Sequence, residues 1–364
     1  MFRSTISTAH RLTRLIMHIF FALLLSSGLA QAVELNDRIT ITGFASAIYQ
    51  QTNEPAGLHG PSADGGIDNR GSFQGTKLGL NITANINDRI KVYSQLLGEQ
   101  GSDNYDIKVD WAFIDFSFND EFSLRAGKIK FPVGIVNEYV SVGYTYLWLQ
   151  APNVFYSTQV PLGPQVTREA YSGASLLWNQ SVGDEWTLGA DIFAGEVKMD
   201  VADVRKLRGI TLRADWDDEV LIQASSYSGT MENSTVMPAM NQQPHDVTTF
   251  GVKVDMNNIV VYAEIADVSM GTISAMAANT WYTTFGYRIG KWLPHITYEY
   301  FEKGESIKQE QNFTTLGLRY DIMENTALKF SLSSIKTEQG KGMFDTPPND
   351  DSTTLFGVGV DVIF

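Results

Sequence analysis

The chain has 364 residues, no cysteine, 41 acidic against 27 basic side chains and a formal net charge of −14. This charge argues against nucleic acid as a partner, because nucleic-acid-binding surfaces are basic. Without cysteine there is no disulfide framework, so stability must come from hydrogen bonding and packing. Aromatic residues make up 12% of the chain, yet beyond the first 32 residues the apolar side chains are scattered and never form a run long enough for a transmembrane helix.

The first 32 residues read as a secretory signal peptide. Three arginines precede an apolar stretch from about Leu15 to Leu29, and the stretch closes with Ala30-Gln31-Ala32, which fits an A-x-A cleavage site. A membrane anchor helix is the alternative, but the stretch is short for a span and contains His18. We therefore expect cleavage after Ala32 and one mature domain from residue 33 to residue 364.

The mature chain alternates apolar and polar side chains in segments of about ten residues, a pattern that predicts β-strands. In residues 279–290, for example, Phe285 and Tyr287 fall on one face, and Thr284 and Arg288 fall on the other. No segment shows a convincing helical period. Sixteen strands are predicted, at roughly 38–50, 74–86, 89–98, 106–118, 121–130, 168–180, 185–197, 206–216, 219–229, 246–256, 258–268, 279–290, 291–302, 311–321, 325–336 and 352–364.

Short turns and long loops alternate between these strands, so all tight turns fall at one end of the sheet. A soluble sandwich would also show strands with one apolar face. The alternation of loops and the aromatic residues near strand ends favour an outer-membrane barrel with aromatic girdles. Backbone groups in hydrocarbon must all be paired, so the predicted fold is an all-β, sixteen-stranded antiparallel transmembrane barrel that closes on itself. The aromatic residues near strand ends are Trp216, Trp281, Trp292 and Tyr320.

Two stretches resemble a known family. The final "FGVGVDVIF" resembles the C-terminal strand of Gram-negative outer-membrane proteins, and this resemblance implies that Phe364 is a recognition signal for the barrel assembly machinery. The spacing of Arg125, Gly127, Pro132 and Gly134 is similar to a pattern in phosphate-selective-type porins. The porin resemblance implies a homotrimer in contact with outer-membrane lipid.

The longest connection, residues 131–167, follows the fifth predicted strand and is called L3 below. It contains several aromatic residues, among them Tyr144 and Tyr146, and its only acid is Glu138. In porins the corresponding loop folds into the lumen and narrows the channel, so the resemblance implies the same position here. A loop this apolar should not extend into water. It either packs against the wall or a neighbouring subunit, or forms an aromatic constriction for ring-bearing solutes.

Charged residues on the face opposite the apolar stripe are predicted to line the lumen. Acids on the same faces are expected to pair with most of the bases, because an unpaired charge in a narrow pore costs desolvation free energy. Lys128 is a further pore-lining candidate, although alternation puts it opposite Arg125 and does not say which of the two is lumenal. The five bases are Arg213, Lys253, Arg288, Arg319 and Lys329, and the acids are Asp191, Asp215, Asp255, Glu264, Glu299 and Asp361.

These features predict an outer-membrane porin for passive diffusion of ions and small hydrophilic solutes, with no cofactor and no metal. The alternatives are a substrate-selective porin for anions or saccharides, and a plugged structural or adhesive barrel. An enzyme is not expected, because the mature chain holds only His59, His245 and His295 and no G-x-S-x-G motif. The balance of lumenal bases and acids leaves the sign of ion preference open.

Overall fold

The computed structural model describes residues 33–59, 66–100, 105–157, 166, 170–198, 202–234, 238–274, 277–304 and 308–364. The predicted signal peptide, residues 1–32, lies outside the described residues. None of the helices in these ranges is both long and apolar enough to cross a membrane.

The described residues form one sheet of seventeen strands. The strands are β1 (Val33–Asn36), β2 (Ile39–Thr52), β3 (Lys77–Asn87), β4 (Ile90–Gln100), β5 (Tyr105–Ser117), β6 (Phe122–Lys130), β7 (Ala170–Val182), β8 (Trp186–Val197), β9 (Asp203–Trp216), β10 (Val220–Glu232), β11 (Pro244–Met256), β12 (Ile259–Ser269), β13 (Ala278–Tyr287), β14 (Trp292–Lys303), β15 (Gln309–Met323), β16 (Thr326–Gln339) and β17 (Ser352–Ile363).

Strands β2 to β17 form a closed antiparallel barrel, because each pairs with the next and β17 pairs with β2. The sixteen predicted strands correspond to these sixteen one by one, so the predicted fold is confirmed. The short β1 is an addition that pairs with the start of β2. Strand β9 begins at Asp203, a few residues earlier than predicted.

The tight turns lie at the periplasmic end and the long loops at the extracellular end, as in outer-membrane barrels generally. Asn257 and Asn258 form a two-residue turn between β11 and β12 with φ of 50° and 68°. Two positive φ values are what a type I′ hairpin turn requires, and asparagine tolerates them. Asp217 and Asp218 adopt similar values between β9 and β10.

The outer face of the barrel is apolar and exposed. Phe285, Ile265 and Leu316 expose 52%, 55% and 57% of their surface, which a soluble sheet would not tolerate but lipid contact explains. Near the periplasmic end, the rings of Trp292 and Tyr320 lie 4.2 Å apart between centroids. These aromatic side chains occupy the place of an interfacial girdle.

The barrel closes at a seam between β17 and β2. Gly43 N donates to Phe364 O at 2.6 Å, and Phe364 N donates to Gly43 O at 2.9 Å. The Phe364 ring lies over Gly43, where an added Cβ would come within 2.4 Å of a ring carbon. Only glycine therefore leaves room for this ring at the seam.

The described helical turns are short, and three of them lie in L3: two 3₁₀ turns, Asn137–Tyr139 and Gly143–Thr145, and α1 (Asn153–Tyr156). A fourth, Pro238–Met240, lies between β10 and β11. The buried apolar residues form a cluster inside the barrel, to which L3 contributes residues such as Phe131, Trp148 and Phe155. The core thus lies inside the barrel and includes residues of L3.

Candidate functional site

L3 lies inside the barrel, because it hydrogen-bonds to lumen-facing side chains of the wall. Trp148 Nε1 donates to Thr284 Oγ1 at 2.9 Å and to Thr297 Oγ1 at 3.1 Å. Thr211 Oγ1 donates to Pro132 O at 2.7 Å. Strands β9, β13 and β14 therefore all hold this loop in the lumen.

Glu264 on β12 is the main anchor of L3. Its carboxylate accepts from Ile135 N at 2.9 Å, from Tyr282 Oη at 2.6 Å and from Tyr156 Oη. Burial raises the pKa of the Tyr156 hydroxyl well above its usual range, so Tyr156 stays protonated and acts as a donor. No described base lies within ion-pair distance of Glu264, which the surrounding donors stabilise instead.

Two more predicted lumenal acids also accept hydrogen bonds, one from L3 and the other within the wall. Glu299 on β14 accepts from Val154 N at 3.2 Å and is 5% exposed. Asp191 on β8 accepts a hydrogen bond from Ser175 Oγ on β7. Both side chains are buried, so neither faces the predicted lumenal bases across open solvent.

Four of the five predicted lumenal bases form ion pairs. Arg213 Nη2 lies 2.7 Å from Glu138 Oε2 of L3, and Arg288 Nη2 lies 3.0 Å from both oxygens of Asp255. The other two pairs are Arg319–Asp321, at 2.8 Å, and Lys329–Asp361, at 2.9 Å.

Lys253 differs from the other four bases. Among the described residues, no carboxylate lies within 4.0 Å of its amine, although its register partner Tyr262 is on the lumen side. It is also only half-buried. Lys253 therefore contributes an uncompensated positive charge to the lumen.

The Lys329–Asp361 pair holds the middle of L3. Both side chains are almost fully buried, and Lys329 Nζ also donates to Gly143 O at 2.5 Å. Its amine lies 4.7 Å from the centroid of the Tyr146 ring. A buried ion pair needs such additional partners, because desolvation offsets much of the Coulombic attraction.

A second buried ion pair holds the same stretch of L3 from another part of the wall. Lys130 Nζ lies 2.9 Å from Asp110 Oδ2, which also accepts from Gln95 Nε2 at 2.5 Å. Lys130 Nζ donates to Ser141 Oγ of L3 at 3.4 Å. Strand alternation does not predict this pair. Asp110 is the extra residue of a bulge between β4 and β5, which breaks the alternation.

Arg125, and not Lys128, faces the lumen on β6. Arg125 Nε lies 2.9 Å from Asp115 Oδ2, and its guanidinium lies 5.3 Å from the centroid of the Phe113 ring. Lys128 lies on the outer face, in register with Ala112 and Ser172, and donates to Val109 O at 2.7 Å. The prediction of Lys128 as pore-lining is wrong, because β6 has no clear apolar stripe from which to orient the alternation.

The two tyrosines singled out in L3 have different surroundings. Tyr146 is buried, with its hydroxyl donating to Val140 O at 3.1 Å. Tyr144 is more exposed, with Arg319 lying 4.8 Å from its ring centroid and its hydroxyl donating to Glu324 O of a periplasmic turn. Arg319 also donates to the carbonyl oxygens of both tyrosines, at 2.7 and 2.9 Å. Most L3 aromatic rings thus pack against the wall, and Tyr144 is the one nearer solvent.

The periplasmic half of β3–β7 is not covered in this way. Several of its lumen-facing side chains are half-buried or exposed, and within the described residues none of these hydrogen-bonds to L3. They include Thr83, Lys91, Tyr93, Arg125 and Asn179. Lys91 lies beside Asp115 in register, but Asp115 pairs with Arg125.

His59, His245 and His295 are not brought together as a catalytic or metal site in the described ranges. His59 pairs with Asp345 between two extracellular loops, and His245 lies 3.2 Å from Tyr227 Oη. His295 is buried on β14. Within the described residues, no group of His, Asp and Glu side chains is arranged to hold a metal ion.

Comparisons with known proteins agree with this geometry. A sequence profile described as Gram-negative porin matches residues 20–340. A search of curated protein sequences finds no match.

Among solved structures, the barrel is similar to OmpF of Salmonella typhi in complex with daunomycin, with a TM-score of 0.61, 13% identity, and coverage of 92% of this chain and 100% of that chain. It is also similar to an anion-selective porin from Comamonas acidovorans, with a TM-score of 0.61, 14% identity, and coverage of 90% and 99%. The outer membrane channel DcaP of Acinetobacter baumannii gives a TM-score of 0.54, 11% identity, and coverage of 90% and 97%.

The family match spans most of the chain, and the barrel with its lumenal loop has the architecture of that family. The chain belongs to the Gram-negative porins, outer-membrane proteins that act as passive diffusion channels.

Proposed function

We propose that this porin is a narrow channel for ions and small hydrophilic solutes, in which L3 sets the size limit. The observation that carries the proposal is the position of L3, which is bound to the wall through Glu264, Glu299 and the Lys329–Asp361 pair. Solutes pass between L3 and the uncovered periplasmic half of β3–β7. Size exclusion and local charge then select among solutes.

The test is conductance of the purified protein in a planar lipid bilayer. We expect open, ohmic channels, and swelling of proteoliposomes that declines steeply as the size of the sugar offered increases. Membranes that stay silent at every voltage would favour the plugged structural barrel instead.

A modest anion preference is the finer proposal. Four lumenal bases are paired, whereas Lys253 and Lys91 have no carboxylate within 4.0 Å among the described residues. The buried lumenal acids Asp191, Glu264 and Glu299 are enclosed by hydrogen-bond donors. Lys91 therefore places a positive charge on the uncovered wall with no described carboxylate in ion-pair distance, which attracts anions. One similar structure is itself an anion-selective porin.

The reversal potential in a salt gradient tests this preference. The wild-type reversal potential should indicate anion selectivity. The double variant Lys91→Glu with Lys253→Glu should shift it in the direction of cation selectivity. Lys336→Glu, on the outer face of β16, is the matched control and should leave the potential near wild type. An unchanged potential in the double variant would show that these lysines do not set selectivity.

We also infer that the chain is not an enzyme, that residues 1–32 are removed on export, and that Phe364 acts as the assembly signal. Homotrimers are proposed because a similar structure, OmpT of Vibrio cholerae, was solved in a trimer form. Native mass spectrometry of the protein extracted from outer membranes tests the oligomer and the cleavage together. Three copies beginning at Val33 are expected, and a monomer retaining residues 1–32 would contradict both.

A further inference from the structure

A cavity opens between the middle of L3 and the wall formed by β2 and β14–β17. It has an empty volume of about 430 Å³, its open side included, which is within the range of small-ligand pockets. Four partly exposed lining side chains mark the open side: Gln150 and Asn153 of L3, and Thr315 and Ser331 of the wall. The cavity is therefore open to the lumen.

Two contacts hold L3 away from this wall. The Leu149 side chain lies against β17, where an added Cβ at Gly357 would overlap Leu149 Cδ2. On β14, Thr297 Oγ1 accepts from Trp148 Nε1 at 3.1 Å. The strands between these two contacts carry short hydroxyl side chains at the cavity, which leave space that L3 does not fill. These side chains are Thr315, Ser331 and Ser333.

His295 on β14 brings a ring nitrogen without a partner to the cavity. Its ring lies over Gly317, its register partner on β15, where an added Cβ would overlap the ring. The ring hydrogen-bonds to the backbone of Leu147 in L3. Its Nδ1, however, is buried and has no hydrogen-bond partner among the described residues. Buried polar atoms without partners are uncommon in native proteins, because they lose hydration without replacement.

Gln50 on β2 brings a second such atom from the opposite edge of the cavity. Its Oε1 is buried and has no hydrogen-bond partner among the described residues, and the residue is 6% exposed. The backbone of Gln50 is fixed, because its N donates to Ser72 O at 2.9 Å and it lies in register with Gly357. Two unpartnered polar atoms on anchored strands therefore flank one cavity.

Two further polar groups of the cavity already have partners. Glu299 accepts from Val154 N at 3.2 Å, and Thr297 Oγ1 lies 2.9 Å from Thr284 Oγ1 in addition to its bond from Trp148. The described residues that line the cavity include no lysine or arginine. An anion would find no counter-charge there, and a cation would find only a carboxylate that L3 already occupies.

Trp148 supplies an apolar surface to the same cavity. Its ring is held by Tyr262 and Tyr282, at 4.7 and 5.8 Å between centroids. A fitting ligand is uncharged, presents an apolar face to the indole and carries hydroxyl groups for His295 and Gln50. A hydroxyl group both donates and accepts, so it suits either tautomer of the imidazole and either orientation of the amide. A sugar ring combines these properties.

We propose that this cavity is a binding site for a monosaccharide of hexose size. A C–H face of the sugar lies on Trp148, and its hydroxyl groups bond to His295 Nδ1 and Gln50 Oε1. The hydroxyl side chains of β15 and β16 complete the contacts. The site rests on the proposed channel for the route by which the sugar arrives, but it does not depend on anion preference.

The test is saturation-transfer NMR of the purified protein with glucose. An amine-oxide detergent is used, because alkyl-glycoside detergents carry sugar headgroups themselves. Wild type should bind glucose with a Kd on the order of millimolar, as expected for a ligand of about twelve non-hydrogen atoms. Gluconate is similar in size but anionic. It should need about tenfold higher concentration to displace glucose, because no base balances its charge in the cavity.

Two variants remove one polar group each and keep the size of the side chain. Gln50→Met and His295→Phe should each weaken glucose binding by about fivefold, which corresponds to the loss of one neutral hydrogen bond. Gln223→Met is the matched control. Gln223 is also a buried lumenal glutamine with an unpartnered amide atom, but it lies on β10 and does not line the cavity. This control should bind glucose like wild type.

Three results would overturn the proposal: no glucose binding by wild type, unchanged binding in both variants, or an equal loss in Gln223→Met. Ser331→Leu fills the cavity from its open side and should abolish binding, which keeps the test decisive if a buried variant fails to fold. Binding is measured without a membrane potential. A silent channel that binds glucose would therefore contradict the proposed function alone, and a conducting channel that does not bind glucose would contradict this site alone.

Discussion

The wall of β12–β17 and the periplasmic half of β3–β7 line the same lumen with different surroundings for their charges. On β12–β17, Glu264, Lys329 and Asp361 are buried beneath L3 and bonded to it or to each other. On β3–β7, Lys91 and Arg125 remain in contact with solvent. The packed wall positions the loop, and under the proposed function the uncovered half guides the solute, although strand alternation treats the two alike.

The largest effect is expected from breaking the buried pair on the packed wall. Lys329→Met should destabilise the barrel by about 3–5 kcal/mol, because Asp361 is left as an uncompensated buried charge. Urea unfolding in lipid vesicles measures this loss. Lys329→Met combined with Asp361→Leu should recover much of this stability. A double variant whose loss of unfolding free energy exceeds the sum of the two single losses would contradict the pairing.

The second-largest effect is expected from Glu264→Ala, which should lower stability and widen the channel. It leaves Ile135 N, Tyr156 Oη and Tyr282 Oη without their acceptor, at about 1–3 kcal/mol for each donor that stays buried and unpaired. L3 should loosen, so single-channel conductance and the size of sugar admitted should both rise. Asp267→Ala on the outer face is the control. An unchanged size limit would show that Glu264 does not position L3.

The smallest effect is expected on the uncovered wall. Asp115→Asn removes the partner of Arg125, but both side chains keep some solvent contact, so the loss should be about 1 kcal/mol or less. The reversal potential should shift slightly, in the direction of higher anion selectivity. The reason is that Arg125 and Lys91 then lie near no fixed negative charge. A loss as large as that of Lys329→Met would remove the distinction between the two walls.

The strands could be predicted because lipid imposes the pattern. Outward residues must be apolar and every backbone group must be paired, so alternation, turn chemistry and an even strand count were readable in sequence. The lumenal positions of Arg213, Arg288 and Arg319 follow from the same alternation.

The partners of these bases could not be predicted in the same way. Arg213 pairs with Glu138, which lies 75 positions away in L3, and Arg319 pairs with Asp321 on its own strand. Such contacts depend on the path of the loop through the lumen, which local periodicity does not encode. Bulges are the second limit, since the bulge between β4 and β5 hid the lumenal Asp110.

The seam between β17 and β2 has a consequence for the kinetics of assembly. Ser46 donates to Asp361 across 315 positions of the chain, so this contact has nearly the largest sequence separation that the molecule allows. Loop closure on this scale is entropically costly, and contacts of high sequence separation form slowly. Until the Gly43–Phe364 bonds form, β2 and β17 present two unpaired edges that can pair with other chains. Closure of the seam is therefore the step that separates a productive monomer from aggregation.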